Sequence, residues 1–415
     1  MRTFHFIGAP VLTFILVIPI IGGAERSFET QKDDDGFVPM FNGKDLTGWV
    51  NVNCAPGTFF VKDNEIITTG KPTGYLRTDK QYENFIAEFD WKHVPPKPDE
   101  VGNSGFFVWA DPIPAVGTGY TRGIEVQVLV NLEYRDEKTK AVTATSHGDL
   151  FSIWGARCVP ERPHPLGWER CLPSENRAKG ANEWNHYRVE ANDGVIKLAV
   201  NGKVVSSVSK CNPRKGYLAL ESEGSECRFR NLKIKELPST NPKPEEIADQ
   251  AQGHSSLYTG LDLSGWKVEG ETKKHWQPND TVLHYDGKGK ELRTEKEFGD
   301  AEFIVDFRFP KKDSKPCVVI LRDGLEDGVK LTFTAEGKWS LSIQGHDVGG
   351  GEGSLNTAGE WNRMRGSLKN GFKTISLNGK EVSVRRPPAM PKKGEFVLRP
   401  EGEMEFANLL VRKLK

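Results

Sequence analysis

The chain of 415 residues contains the same series of short sequence blocks twice, and this repeat constrains the fold more than any other feature. Chance similarity does not preserve the order of several blocks, so the chain arose by duplication. The first copy holds about 39 additional residues between its second and third blocks. Four blocks return in unchanged order: "NGKDLTGW" as "TGLDLSGW", "YLRTDKQYENFIAEFDW" as "ELRTEKEFGDAEFIVDF", "EWNHYRVE" as "EWNRMRGS", and "GYLALESEGSE" as "GEFVLRPEGEM".

The repeated blocks have the pattern of β-strands. "FIAEFDW" and "EFIVDFRF" alternate apolar and polar side chains, as strands with one buried face do. "ANDGVIKLAVNGK" places Asp-Gly and Asn-Gly between strand-like runs, which is a strong hairpin signal. Long segments with helical periodicity are missing. We therefore predict an all-β protein made of two jelly-roll β-sandwich domains in tandem.

The order of the blocks gives the expected domain boundaries. Near the start, Arg2 precedes a long apolar run that ends with Gly22 and Ala24, which suit a signal-peptidase site. An uncleaved anchor is the alternative, because residues 6–24 are barely long enough to span a bilayer. We expect export to the periplasm or the extracellular space, without stable membrane insertion after cleavage. The expected segments are a signal peptide at 1–24, a first sandwich at 36–237 with an insertion at about 131–182, a linker at 238–255, and a second, shorter sandwich at 256–415.

The net charge bears on the expected partners of the chain, and its cysteine content bears on disulfide formation. The formal net charge is zero, which gives no reason to expect a nucleic-acid partner. Six cysteines in an exported chain favour at least one disulfide. Cys158 with Cys171 and Cys211 with Cys227 are local candidates, although sequence alone does not fix the pairing.

The segment "GYTRGIEVQVLV" carries the first candidate site. In a strand, Glu125 and Gln127 share one face, and Tyr120 precedes them in the same segment. A carboxylate beside an amide can bind sugar hydroxyls or a metal ion, whereas the plain alternative is a solvated polar face. In the second copy Lys330 aligns with Glu125 and Thr332 with Gln127. The loss of the acid in that copy favours a function for it in the first.

The insertion at 131–182 carries the second candidate site, because loops added to a rigid sandwich tend to hold binding groups. His147 titrates in the useful range and is the first candidate for a base, with Asp149 two residues away to orient it. A structural loop over one edge of the sheet is the alternative. Arg170 can polarise a ketone oxygen, and the remaining candidates for sugar contact are Trp154, Trp168, His164 and, from the preceding strand, Trp109.

Several motifs together resemble the 3-keto-disaccharide hydrolase domain family. They are "FNGKDLTGW" at 41–49, "NSGFFVWA" at 103–110, "GIEVQVLV" at 123–130, "NEWN" at 182–185 and "ESEGSECRFRNLKI" from Glu221. The resemblance covers nearly all of the first copy and is weaker in the second. It implies a concanavalin A-like sandwich, secretion and action on oxidised sugars. Family members commonly continue the Glu-x-Gln strand into an aspartate, where this chain has Val130 and Asn131.

A ketone at C3 of a sugar acidifies the hydrogen on C2, so a base can remove it and the C1 substituent can leave. The resemblance therefore implies an exported enzyme that cleaves 3-keto glycosides, and the candidates for its catalytic residues are His147 as the base, Asp149 and Glu125. A non-catalytic lectin-like or adhesion protein is the alternative. The expected partner is an oxidised glycoside, and a divalent metal ion is left open as a cofactor.

Overall fold

A computed structural model describes residues 35–324, 328–382 and 391–415. The predicted signal peptide, residues 1–24, lies outside this range. Within the described residues, no helix combines the length and the apolar character needed to cross a membrane.

The first domain contains eighteen strands. In chain order they are β1 (Val38–Pro39), β2 (Trp49–Val52), β3 (Phe59–Lys62), β4 (Glu65–Thr68), β5 (Gly74–Thr78), β6 (Phe85–Val94), β7 (Gly102–Ala110), β8 (Gly123–Val130), β9 (Glu133–Arg135), β10 (Val142–Thr145), β11 (Leu150–Ile153), β12 (Arg157–Pro160), β13 (Arg170–Cys171), β14 (Asn185–Asn192), β15 (Val195–Val200), β16 (Lys203–Asn212), β17 (Tyr217–Ser222) and β18 (Glu226–Glu236).

Two large antiparallel sheets of the first domain face each other. The nine-stranded sheet has the order β12-β16-β15-β14-β6-β18-β4-β3, with β1 paired to β18. The seven-stranded sheet has the order β13-β11-β8-β7-β17-β5-β2, and β9 and β10 form a separate hairpin. Strands β9 to β13 belong to the predicted insertion, so the insertion extends both sheets at one edge.

The second domain repeats this arrangement after a linker. The linker contains a 3₁₀-helix (Pro244–Glu246), and the domain has one short α-helix, α1 (Thr272–His275). Its strands are β19 (Ser255–Ser256), β20 (Trp266–Lys267), β21 (Trp276–Asn279), β22 (Val282–Asp286), β23 (Leu292–Phe298), β24 (Ala301–Arg308), β25 (Cys317–Ile320), β26 (Val329–Phe333), β27 (Lys338–Ile343), β28 (His346–Glu352), β29 (Asn362–Leu368), β30 (Phe372–Leu377), β31 (Lys380–Glu381), β32 (Gly394–Pro400) and β33 (Glu403–Lys413).

These strands form sheets of eight and seven strands. Their orders are β21-β22-β33-β24-β29-β30-β31, with β19 on β33, and β20-β23-β32-β25-β26-β27-β28. The predicted fold class, all-β with two concanavalin A-like jelly-roll sandwiches in tandem, is confirmed.

Alternating burial along the strands explains why each half folds as a sandwich. In β6 every second side chain is buried, and Phe85, Phe89 and Trp91 point into the core between the sheets. Full burial of one such side chain contributes about 1.5–3 kcal/mol. The second domain has its own core, in which Phe303 and Phe307 of β24 take the same role.

The expected disulfides do not form, because all six cysteines are unpaired and buried. Cys211 lies in β16 and Cys227 in β18, with three strands between them in the sheet. At about 4.8 Å per strand this separation is roughly 19 Å, well beyond the Cα distance of about 7 Å that a disulfide allows. Cys158 and Cys171 lie in strands of different sheets. The prediction of a disulfide is therefore wrong.

Candidate functional site

The outer face of the seven-stranded sheet of the first domain carries a group of acidic side chains. Strand β7 pairs with β8 so that Gly105 lies opposite Gln127 and Phe107 opposite Glu125. On its other side β7 pairs with β17, and an isolated bridge links Asn103 to Glu223. The side chains of three neighbouring strands, β8, β7 and β17, therefore meet on one face, as pleated strands require.

The missing side chain of Gly105 lets two of these carboxyl groups pack over the same point of the sheet, which we call the acidic hollow. A Cβ atom at this position would lie 2.9 Å from Glu221 Oε2 and 3.0 Å from Glu125 Oε1. Both carboxyl groups therefore pack over Gly105, in the space that a side chain at residue 105 would otherwise fill. Glu221 is 1% exposed and Glu125 6% exposed, so the acids lie at the bottom of the hollow.

Burial and mutual repulsion keep these acids protonated to unusually high pH. Burial, with the nearby charge of Glu223, raises the pKa of Glu125 to about 8, although Arg170 acts in the opposite direction. Burial, together with Glu125 and Glu223, raises the pKa of Glu221 well above its usual range. The pKa of Glu223 is also raised by its burial. Carboxyl groups with raised pKa values are typical of sites that exchange protons with a substrate.

A chain of hydrogen bonds holds the rim of the hollow. Arg170 Nε donates to Asp149 Oδ2 at 2.7 Å, and Arg170 Nη2 donates to Gln127 Oε1 at 3.3 Å. Gln127 Nε2 then donates to Asn103 Oδ1 at 3.0 Å, and the Asn103 amide donates to Glu223. The network thus runs from Arg170 across three strands to Glu223, and it fixes the rotamers of the polar groups around the hollow.

Tyr120 and Trp154 form the aromatic side of the site. The Tyr120 hydroxyl donates to Glu223 Oε1 at 2.7 Å. The Trp154 ring stacks on Tyr120, with centroids 6.2 Å apart and 11° between the planes. Trp154 is 53% exposed, so one face of the indole is open to a ligand. An exposed aromatic face beside buried carboxyl groups is suited to a sugar ring, which has apolar faces and polar edges.

His147 and Asp149 are not paired as the sequence suggested. Thr145 Oγ1 donates to Asp149 Oδ1 at 2.6 Å, and Thr145 N and Arg170 donate to Oδ2, so other groups hold this carboxylate. Within the described part of the chain, the His147 ring has one hydrogen-bond partner, Ser146 Oγ at 3.4 Å. The ring is half-buried, and burial lowers its pKa. Asp149 orients Arg170, and the expected contact with His147 is absent.

Trp109 and His164 are not available for substrate contact. Trp109 is fully buried in the core, and its indole N–H donates to Glu83 O at 2.8 Å. His164 is buried, with Nε2 bonded to Thr143 O at 2.9 Å and Nδ1 accepting from Leu166 N at 3.1 Å. The expectation that Trp109 and His164 contact the sugar is therefore wrong, because both side chains are buried and their ring nitrogens bond to the protein backbone.

Trp168 is an exposed aromatic residue of the insertion. Its ring stacks on His164, with centroids 4.7 Å apart, and its side chain is 46% exposed. His164 is therefore a support for Trp168. The expected sugar contact of Trp168 stays a prediction.

Sequence reasoning missed Glu221, Glu223, Asn103 and Gly105. All four lie in two motifs that carry the family resemblance, at 103–110 and from Glu221 onward. One signal was present, because the repeat aligns Glu221 with Arg399. At this position, as at Glu125 and Lys330, a glutamate of the first copy is replaced by a basic residue in the second.

The second domain has lost this site. Register places Val318 of β25 opposite Thr332 and Arg399, which is the position of Gly105 in the first domain. Arg399 donates to Glu291, and Arg293 Nε donates to the other oxygen of Glu291 at 2.5 Å. The hollow is therefore filled by a valine, and ion pairs take the place of the buried acids.

The candidate residues do not form a recognisable metal centre. No group of three or more His, Cys, Asp or Glu side chains within residues 35–324, 328–382 and 391–415 is arranged to hold a metal ion.

Comparison with known proteins matches both halves of the chain to one family. Residues 36–235 and 253–412 match the 3-keto-alpha-glucoside-1,2-lyase-like domain. A 3-keto-disaccharide hydrolase of Bacteroides thetaiotaomicron is 21% identical over 259 residues, which cover 51% of this chain and 82% of the relative.

Solved structures also resemble parts of the chain. A protein of Parabacteroides distasonis, described as a candidate glycosyl hydrolase, is 24% identical with a TM-score of 0.38 and covers 49% of this chain and 95% of its own. The carbohydrate-binding module CBM66 of Bacillus subtilis is 12% identical with a TM-score of 0.29, covering 46% of this chain and 96% of its own.

Proposed function

The chain belongs to the family of 3-keto-alpha-glucoside-1,2-lyase-like domains, and we propose that its first domain cleaves the glycosidic bond of 3-keto sugars. The proposal combines the family with the acidic hollow at Gly105. The curated relative named a 3-keto-disaccharide hydrolase supports the same substrate class.

One observation supports this function above the others. Glu221 is buried, and neither of its carboxyl oxygens has a hydrogen-bond partner among the described residues. Burial of an acid without partners costs free energy, so such a group is retained when a ligand or a reaction uses it. Because its pKa is raised well above the usual range, Glu221 keeps its proton to higher pH than an ordinary carboxyl group, and that proton can be donated.

The paired acids fit an elimination at a 3-keto glycoside. The deprotonated form of Glu125 removes the hydrogen from C2, and the electron pair of that C–H bond forms the enolate of the C3 ketone. The enolate then expels the C1 substituent as the C1–O bond breaks, and Glu221 donates its proton to the leaving oxygen. Addition of water across the new C1–C2 double bond gives net hydrolysis.

The surrounding groups bind and orient the sugar in this proposal. The Asn103 and Gln127 amides offer hydrogen bonds to hydroxyl groups, and the Trp154 face packs on the ring. The positive charge of Arg170 acts on Glu125, and in this proposal it stabilises negative charge that develops on the ketone oxygen.

His147 is the alternative base. Its lowered pKa keeps the imidazole neutral, which a base requires. The hollow lies between Glu125 and Glu221, and no contact joins His147 to either group in the described residues. The geometry therefore favours Glu125. We also propose that the enzyme acts after export, because an apolar segment follows Arg2.

The test is release of the leaving group from a 3-keto disaccharide and from its unoxidised parent. Wild type, Glu125→Gln and His147→Ala are compared, each with and without EDTA. The proposal expects cleavage of the keto substrate alone, with loss in Glu125→Gln and retention in His147→Ala. Loss in the histidine variant alone would transfer the role of base to His147, and loss with EDTA would show a metal requirement.

A lectin-like protein is the competing outcome. Binding of glycans without release from either substrate would support it and would overturn the enzymatic proposal.

A further inference from the structure

The loop that carries Tyr120 into the site is held by the second domain. This loop, residues 111–122, joins β7 to β8. Gly117 N donates to Asp306 Oδ2 of β24 at 2.8 Å. Gly117 has a φ of +73°, and a Cβ atom there would lie only 2.2 Å from Trp361 Cγ. The loop therefore fits against the second domain without free space at this point.

Two further hydrogen bonds fix the same loop. Arg363 Nη2 donates to Pro114 O at 2.9 Å, and Asn408 Nδ2 donates to Ala115 O at 2.9 Å. Arg363 and Asn408 also bind the fully buried carboxylate of Asp306, at 2.7 Å through Arg363 Nε and 2.7 Å through Asn408 Nδ2. Buried carboxylates that are paired in this way are rigid anchors.

A cavity of about 560 Å³ opens beside this loop, between the two domains. Pro72, Thr73, Tyr120 and Glu223 line it from the first domain, and Leu261 and Asp280 from the second. Its volume falls in the range of about 300–1,000 Å³ that is usual for ligand sites. Asp280 binds Thr73 N and Thr73 Oγ1, both at 2.6 Å, so a side chain of the second domain closes one wall.

The cavity adjoins the acidic hollow. Glu223 and Tyr120 line the cavity, and they also belong to the hydrogen-bonded rim of the hollow through Asn103. A molecule bound over Gly105 that extends beyond one sugar ring can pass Glu223 into the space between the domains. The walls combine apolar Leu261 and Pro72 with carboxylates and a hydroxyl, which matches the mixed surface of a sugar.

We propose that this cavity is the subsite for the second sugar ring of the substrate, and that the second domain supplies one wall of it. The inference rests on the proposed function of the first domain. It assigns the second domain a role in selecting the substrate, although that domain has lost its own acidic hollow.

Leu261→Arg tests the subsite by filling the cavity. Leu261 is 53% exposed, so the longer side chain does not disturb the core. Cleavage of a 3-keto disaccharide is compared with cleavage of methyl 3-keto-glucoside, which has no second ring. We expect kcat/KM for the disaccharide to fall roughly tenfold or more, with the methyl glycoside little changed. Val268→Arg is the matched control, because Val268 is also an exposed apolar residue of the second domain but does not line the cavity.

A binding measurement separates this inference from the proposed function. Calorimetry with the unoxidised disaccharide and with methyl glucoside is carried out on wild type and both variants. If wild type cleaves neither keto substrate but Leu261→Arg selectively loses disaccharide binding, the subsite stands and the proposed reaction fails. The subsite proposal is overturned if Leu261→Arg binds both ligands and cleaves both substrates as wild type does. It is also overturned if the variant loses binding of both ligands, and cleavage of both substrates, to the same extent.

Discussion

Arg399 of the second domain occupies the strand position that Glu221 occupies in the first. Both residues lie in the strand that follows the last hairpin of their domain, β32 and β17, and both face outward. In the first domain the acid borders the hollow at Gly105, whereas in the second Arg399 is paired with Glu291. The same fold thus occurs once with and once without these buried acids on its outer face. The second domain therefore shows the arrangement of this face when the site is absent.

The first prediction concerns the two acids. Glu125→Gln and Glu221→Gln keep the shape of each side chain but remove its ability to exchange a proton. We expect each change to lower kcat by about 10²–10⁴-fold, the usual contribution of general acid–base catalysis. Steady-state release of the leaving group from a 3-keto disaccharide measures this effect.

Lys330→Gln is the matched control for the acids, because Lys330 takes the place of Glu125 in the second domain. It should leave kcat unchanged. Equal activity of Glu125→Gln and wild type would remove the carboxyl group from the reaction.

The second prediction concerns the hollow. Gly105→Val recreates the side chain that Val318 provides in the second domain, and it places carbon atoms within about 3 Å of the Glu125 and Glu221 carboxyl oxygens. We expect the variant to remain folded by circular dichroism and to lose most binding of the keto disaccharide in calorimetry.

Gly180→Ala is the control for glycine replacement, because a Cβ there meets no atom within 4 Å. Binding by Gly105→Val with wild-type affinity would show that the substrate lies elsewhere.

The fold could be predicted from the sequence because its signals are local. Alternation within each strand and the Asp-Gly and Asn-Gly turns depend on neighbouring residues. Comparison of the copies also identified Glu125. The arrangement of β8, β7 and β17 side by side was not predictable in this way, because β7 and β17 are about a hundred residues apart. The position of Glu221 next to Gly105 depends on that distant pairing.

Trp109 shows a second limit of local reasoning. Phe107 points to the outer face, so alternation places Trp109 there as well. The backbone of Trp109 instead has a φ of +56°, which breaks the alternation and turns the indole into the core. A positive φ at a large side chain is uncommon, and nothing in the surrounding residues signals it.

The third prediction concerns the dependence of stability on pH. The pKa of Glu125 is about 8 in the folded protein against 4.5 for the free side chain, so the folded state binds more protons between these values. The contribution of Glu125 to the free energy of unfolding is therefore fully present below about pH 4.5, and it is lost as the pH rises through about 8. The loss is on the order of a few kcal/mol, because one pKa unit corresponds to about 1.4 kcal/mol.

Thermal unfolding from pH 5 to about 9 measures this dependence. Glu125→Gln should flatten the decline in Tm. Arg170→Met should raise the pKa of Glu125 further, because the guanidinium lowers it in the wild type. A decline of the same size in Glu125→Gln would assign the effect to other groups.

The last prediction concerns the buried ion pair behind the site. The Asp149 carboxylate is completely buried and lies 2.6 Å from Arg170 Nη2. Asp149→Ala leaves the mostly buried Arg170 guanidinium without its carboxylate partner, so we expect the variant to lose about 3–5 kcal/mol of stability. The double variant Asp149→Ala/Arg170→Met has no unpaired charge and should recover part of that loss in chemical denaturation.

Because Asp149 does not contact the His147 ring, His147→Ala should have a much smaller effect. A loss in His147→Ala as large as that in Asp149→Ala would show that the histidine belongs to the same network, contrary to the structure.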